Sequence, residues 1–367
     1  MRNKVEIQVF QDRHWPDIVA RDWRELQQES ESATIFQTWE WTSTWWKHFG
    51  EGKYPYVICV RLGDELIGIG AFYETSGAWG ALRFMGNGHA DYHGLLARTG
   101  FEKEVARRVM CHLMRHPTAH LLDLHQVPDN SPLLGVALRM PGAWRKLQAV
   151  CSRLELPDTW ADYLSYLGRN MRSSLKRYEQ AATRDYDFSV SLADVNQVDK
   201  GLKSLFKLHQ KRWQQRGQPG AMFIRSIQKF HREFSKLAAE QGWLRLHMLE
   251  LDGHTQAALY AFRFGKGYYF YQSGFNPKFG KLSPGTLTLS HAVRTAIGER
   301  CEYFDFLRGQ EGYKARWRPQ SYIYNYRVLV PIRGLMGQAA FAWNRLGDKV
   351  EHAVRERLEG GLGDHEE

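Results

Sequence analysis

YYFYQSGFNPKFGKLSPGTLTLSHAVRTAIGERC, residues 268–301, is the stretch whose reading decides the fold. An aromatic strand, Tyr268–Ser273, runs into a turn holding Gly274, Asn276, Pro277, Gly280, Ser283, Pro284 and Gly285, and then into an apolar-periodic helix. A strand, turn and helix in this order aim free backbone N–H groups and the positive end of the helix dipole at one place, which suits a phosphate. Gly280 and Gly285 let the backbone approach a bulky anion, Lys281 adds a charge, and Ser283 with Pro284 reads as a helix cap. The same S-P-G start also caps helices that bind nothing, so the turn alone leaves both readings open.

Outward from this unit the chain repeats itself. Residues 56–74, YVICVRLGDELIGIGAFYE, read as a hairpin about Gly63-Asp64, and residues 245–265, RLHMLELDGHTQAALYAFRFG, as a hairpin about Asp252-Gly253. Asp252 lies 188 residues after Asp64. The basic helical stretch Glu102–His116 precedes a strand containing Asp123; Thr286–Arg300 precedes a strand containing Asp305, 182 residues later. Two landmarks at nearly one offset predict a duplicated α/β unit, each half a mixed sheet with helices packed on it. The predicted division is residues 1–155, 156–331 and a C-terminal basic helix and tail, 332–367.

The bulk properties are those of a folded chain with an anionic partner. Of 367 residues, 43% are hydrophobic and 13% aromatic, which excludes the composition of a disordered protein. The net charge of +10 raises the local concentration of anions without naming one. The four cysteines are far apart and read as reduced thiols. No apolar run of spanning length and no apolar leader core appear, and the expected location is cytoplasmic.

Residues 161–186 read as a connecting helix carrying Arg169, Arg172, Lys176 and Arg177, either solvated or facing an anion. Met336–Leu358 reads as an amphipathic helix. Packing on the body competes there with contact at a membrane surface, against which Asp348, Glu351 and Glu356 weigh. Trp39, Trp41, Trp45 and Trp46 read as core or, alternatively, a sugar-stacking face. His112, His116 and His120 do not make a metal set, since Pro117 breaks the helix and no further ligand joins them. No metal, no P-loop and no Ser/His/Asp nucleophile motif is expected.

FGKLSPGT at 279–286, YFDFLRGQEGYKARW at 303–317, FQTWEWTSTWWKHFG at 36–50, LRFMGNGHADYHGLL at 82–96 and LDLHQVPDNSPLL at 122–134 together resemble the GNAT-superfamily acyltransferases of the BioF2-like, CelD-like branch, associated with cellulose biosynthesis. That branch is related in fold to the Fem-type peptidyltransferases. The GNAT pyrophosphate signature Q/R-x-x-G-x-G/A is replaced here by Phe279–Gly285. The resemblance implies tandem GNAT-like domains, with acetyl-CoA or another acyl-CoA bound by the second half through Tyr271 and the turn Phe279, Gly280, Lys281, Leu282, Ser283, Pro284, Gly285 and Thr286. The first half, whose equivalent turn ARTGFEKEV lacks the paired glycines, helps shape the acceptor cleft with Asp91, Tyr92, His93 and, from the second half, Arg308.

Strand alternation puts Tyr303 and Asp305 on one face and Phe304 and Phe306 on the other, so Asp305 is a candidate base for the amine, or a structural partner of an arginine. Tyr313 and Lys314 are candidates to meet the departing thiolate, or surface residues. The expected activity is N-acyl transfer, acetyl above all, to an amine on a small molecule or cell-envelope polysaccharide precursor bearing anionic groups, with no DNA partner. Its rivals are aminoacyl transfer from charged tRNA and a degenerate, non-catalytic GNAT pair serving polysaccharide synthesis.

Overall fold

The computed structural model describes residues 4–346 except 78–79, 117, 215–221, 223, 310 and 333. Residues 334–346 are helical; the rest of the expected C-terminal helix and tail lies outside the described residues.

The first half runs β1 (Val5–Phe10), α1 (Trp15–Gln28), α2 (Trp39–Phe49), β2 (Lys53–Leu62), β3 (Glu65–Thr75), β4 (Ala81–Phe84), β5 (Leu96–Ala97), α3 (Glu102–Leu113), β6 (Leu121–Pro128), α4 (Pro132–Ala137) and β7 (Trp144–Glu155). Two helices follow, α5 (Trp160–Tyr166) and α6 (Arg169–Asp185). They divide the single helix predicted there, because Leu167 and Gly168 are extended. The second half then runs β8 (Phe188–Leu192), α7 (Val198–Gln214), α8 (Arg225–Glu240), β9 (Leu244–Leu251), β10 (His254–Phe264), β11 (Gly267–Phe275), α9 (Pro284–Gly298), β12 (Tyr303–Arg308), α10 (Gly312–Ala315) and β13 (Ser321–Pro331). Apart from the two-residue β5, each half is strand, two helices, three strands, helix, strand, helix, strand. The hairpin at Asp252-Gly253 has both residues at positive φ, 50° and 71°, as a two-residue turn between twisted strands requires.

The strands form one continuous sheet in the order β1-β2-β3-β4-β6-β13-β7-β12-β11-β10-β9-β8. Under the internal repeat this order reads the same from either end, with one exchange. β13 closes the second repeat but pairs β6 of the first, and β7 closes the first repeat but pairs β12 of the second. The two exchanged strands pair with each other from Ser321↔Arg153 to Leu329↔Trp144. Helices α1, α2, α7 and α8 bury one face of the sheet over a shared aromatic core. On the opposite face α3 and α4 cover the first lobe, and α5, α6 and α9 the second.

The tryptophan cluster is core. Trp41 and Trp45 are buried, and the Trp41 ring lies edge-on to Phe230 and Phe234 of α8, with centroids 5.0 and 4.8 Å away. The lobes therefore share a dry aromatic contact as well as a sheet.

Each repeat places its strand aspartate beside an arginine of the exchanged strand. Asp123, fully buried, holds Arg327 of β13 at 2.7 Å, Arg83 at 2.6 Å and His125 at 3.0 Å. Burial opposes its charge, but His125, Arg327 and Arg83 outweigh burial and hold the carboxyl far below the usual range. A depressed carboxyl contributes stability that is present above its unfolded pKa of about 3.9 and is lost as pH falls toward the folded value. Urea titrations from pH 7 to pH 2 should show the wild type losing stability below about pH 4. Asp123→Asn should be about 3–5 kcal/mol less stable at pH 7 and flatter across the acid range.

Candidate active site between the lobes

In the second lobe β11 and β12 run parallel and pair at Gly267↔Tyr303, Tyr268↔Phe304 and Tyr269↔Asp305; no further pair joins them. Just past that point Tyr271 is left unpaired by a bulge in the β10–β11 ladder, between Tyr260↔Gln272 and Ala261↔Phe270. A bulge bends a strand and re-aims its side chains, so β11 diverges from β12 and a wedge opens. The wedge is headed by the turn 277–282 and the start of α9.

At that helix start Ser283 has left-handed backbone, φ 48° and ψ 56°, and Pro284 is the first helical residue. The predicted cap is corrected in one respect. The Ser283 hydroxyl donates to Thr286 Oγ1 at 2.8 Å and caps no amide, because the left-handed conformation turns its side chain aside. The amides of Thr286 and Leu287 return to the Ser283 carbonyl, and Pro284 has no N–H. The two glycines also differ. A side chain at Gly285 would press on the Phe275 ring at 3.1 Å, whereas Gly280 borders open space. Phe279 packs edge-on to Tyr186, Leu282 is buried, and Lys281 is exposed.

The corresponding wedge of the first lobe is filled by its own chain. β4 and β6 pair only at Ala81↔Leu121 and Leu82↔Leu122. Beyond them, the His93 amide donates to the Gln126 carbonyl and His93 Nδ1 to the His125 carbonyl, each at 2.9 Å. The helix starts differ in charge as well. The first turn of α3 carries Glu102 and Glu104, and that of α9 carries no acid. A helix N-terminus favours anions, so acids there discourage a second one.

The segment 91–93 that fills the first wedge also reaches the second lobe. Arg308 donates to the Asp91 carboxylate through both its Nε and its backbone amide, and the Tyr92 hydroxyl donates to Asp305 Oδ2 at 2.8 Å. The expected acceptor-cleft residues Asp91, Tyr92 and Arg308 therefore meet the candidate base Asp305 at the seam. His93 stacks on Phe84, and burial lowers its pKa to about 3, keeping the imidazole neutral.

Asp305 is fully buried, and its alternation is as read, with Phe304 and Phe306 packed under α9 on the other face. Its carboxylate accepts from Arg153 Nε at 2.6 Å, Tyr92 and the Leu307 amide at 2.8 Å. Burial raises its pKa, and Arg153, Leu307 and Tyr92 pull against that rise. Lys314 is buried: its Nζ donates to the carbonyls of Arg308 at 2.8 Å and Gly309 at 3.1 Å and pairs with Glu311. Tyr313 is half-buried, and burial raises its hydroxyl. The Tyr271 hydroxyl donates to the His89 carbonyl across the seam at 2.9 Å.

A cavity of about 300 Å³ opens beside this cluster, lined by Tyr92, His93, Arg153, Tyr303, Glu31 and Glu102 among others. Sequence reasoning missed Arg153 and Tyr303. Arg153 lies 4.3 Å from the Tyr303 ring and 5.5 Å from that of Tyr92, and the Tyr303 hydroxyl bonds that of Tyr269. Nothing local marks Arg153 among the many basic residues; only its cross-strand pairing with Asp305 does. No cluster of three metal-ligating side chains occurs among the described residues.

Residues 169–315 match the family described as an acetyltransferase (GNAT) domain. The chain is similar in structure to FemX, at 11% identity over 88% of this chain and 96% of that one, with a TM-score of 0.64. The fold is tandem GNAT-like. It is likewise similar to a conserved protein of unknown function from Bacteroides thetaiotaomicron (12% identity, 85% and 97% covered, TM-score 0.57). A third similar structure is the C-terminal domain of a putative lysylphosphatidylglycerol synthetase from Agrobacterium fabrum (9%, 89% and 95%, 0.55). No curated protein matches the chain. Of the two GNAT-like lobes, the family match spans the second, whose helix start carries no acid.

The buried pair at the seam gives a direct stability test. Arg153→Met strands the Asp305 carboxylate and should cost about 3–5 kcal/mol in urea unfolding. Arg153→Met/Asp305→Leu together should recover part of that loss.

Proposed function

We propose that the chain is an acyl-CoA-dependent N-acyltransferase of the BioF2-like, CelD-like branch. In this reading it moves an acetyl group to the amine of a small molecule or envelope-polysaccharide precursor. The observation that carries it is the asymmetry of the two helix starts: past the last β4–β6 pair the first lobe's own chain bonds β6 below a helix start carrying two acids, while in the second lobe β11 and β12 stop pairing below a helix start free of acids. The coenzyme phosphates would lie against the turn Phe279–Thr286, with Lys281 beside them and Gly280 leaving room. A backbone N–H of the bulged strand near Tyr271 would hold the thioester carbonyl as charge develops on it.

The acceptor would lie in the cavity at the seam, whose wall is backed by Asp305. That residue is the last one paired to β11 and also the partner of Tyr92 and Arg153, which line the cavity. Enclosed as it is, Asp305 acts as a positioning residue through those two side chains. Arg153 suits an anionic group of the acceptor, and Glu31 and Glu102 suit its amine. Tyr313 is the candidate proton donor to the thiolate, and Lys314 braces the carbonyls at the end of β12.

Acetyl-CoA at a hundred times its Kd should stabilise the protein by about 2.7 kcal/mol in thermal or urea unfolding. Gly280→Trp, which meets no neighbour in the free protein, should abolish that shift and leave the unliganded stability unchanged. An unchanged shift in the variant would remove the turn from the site.

Aminoacyl transfer from charged tRNA is the second reading, favoured by the exposed Arg169, Arg172, Lys176 and Arg177 on α6. Four phosphate contacts there predict log K against log salt with a slope of about −3 to −4. Filter binding with charged tRNA tests it, and a flat salt response removes this reading.

A further inference from the structure

A groove of about 570 Å³ lies between α5, α6, α9 and β8. We propose that it binds a single-chain amphiphile with an anionic oxygen head group, a fatty carboxylate or an alkyl phosphate. Three independent features point to that chemistry, and none depends on the coenzyme reading.

The first is the floor, made by Leu164, Leu175, Phe188, Val190 and Leu287, with Trp160 at the α5 end. The volume is that of a site for one small molecule, and its apolar part suits a hydrocarbon chain. The second is the rim, which carries Arg172, Lys176 and Arg294 against one carboxylate, Glu179. Arg172 donates to the carbonyls of Leu164 and Ser165. Lys176 and Arg294 are exposed, and no acid among the described residues lies within ion-pair distance of either. Two cations beside an apolar floor fit a head group that is anionic and a tail that is not.

The third is a buried chain of hydrogen bonds that ends at the groove. The Tyr268 hydroxyl, fully buried, meets His247 Nε2 at 2.5 Å, and His247 Nδ1 meets His291 Nδ1 at 2.9 Å. His247 is fully buried and His291 lines the groove. Burial lowers the pKa of both imidazoles, and the neighbouring Arg245 and Arg294 lower them further, so both are neutral. A buried hydroxyl with a single partner donates to it, because an unmade donor is costly. Tyr268 then donates to His247 Nε2, His247 carries its hydrogen on Nδ1 and donates it to His291, and His291 is left with its hydrogen on Nε2. The core thereby sets His291 to offer an N–H toward the groove, a third donor beside Lys176 and Arg294.

Calorimetric titration with dodecyl phosphate and with dodecanoate, both below their micelle concentrations, tests the site. Saturable one-to-one binding is expected for at least one of them, and the stronger of the two identifies the head group. Dodecyltrimethylammonium and inorganic phosphate should each bind at least about tenfold more weakly. Lys176→Glu and Arg294→Glu, both at exposed positions, should each weaken binding about tenfold while circular dichroism stays unchanged. Ser290→Trp should fill the groove and abolish binding. Nitrogen-15 NMR of the histidines should find His291 protonated on Nε2. Equal affinity for the cationic amphiphile, no binding of either anion, or His291 protonated on Nδ1 would overturn the proposal.

Discussion

The exchange of β7 and β13 is the constraint on which the rest of the structure depends. Because each repeat lends its last strand to the other, neither lobe has a complete sheet alone. The seam is therefore made of ladder hydrogen bonds as well as side-chain contacts. Two buried carboxylates sit at this seam, each held by an arginine of an exchanged strand: Asp123 with Arg327, Asp305 with Arg153. A buried charge is tolerated only when paired and hydrogen-bonded, so these pairs fix the register and the placement of the exchanged strands.

Duplication has left two similar frames with different uses. In both, parallel pairing of the fourth strand of the lobe with the strand after the helix stops after a few residues, and a wedge begins. The first lobe fills its wedge with the segment 91–93, and the same segment carries Asp91 and Tyr92 across to Arg308 and Asp305. Filling one wedge thus builds the wall of the other lobe's site. The surplus of aromatic residues serves the same end, since Trp41, Phe230, Phe234 and Tyr271 lock α2 and α8 across the boundary and exclude water beside it.

Much of this was legible in the sequence because local chemistry carries it. Turn dipeptides, strand alternation at 303–306 and the apolar period of α9 each depend on neighbours a few residues away. The repeat was legible because two such landmarks recur at nearly one offset. Ser283 was misread in part, since cap preference assumes an extended cap residue and this one is left-handed.

By itself the sequence determined the element types, their duplication, the likeness of both aspartates and the uneven chemistry of the two helix starts. All of these are properties of short segments. Only the tertiary structure decided that the last strands change places, that Arg153 and Tyr303 stand beside Tyr92, and that Asp305 is enclosed. Those outcomes bring together residues far apart in the chain, such as Tyr92 and Asp305, 213 positions from each other. Their proximity is set by packing and strand pairing across the sheet, for which no short segment carries a signal.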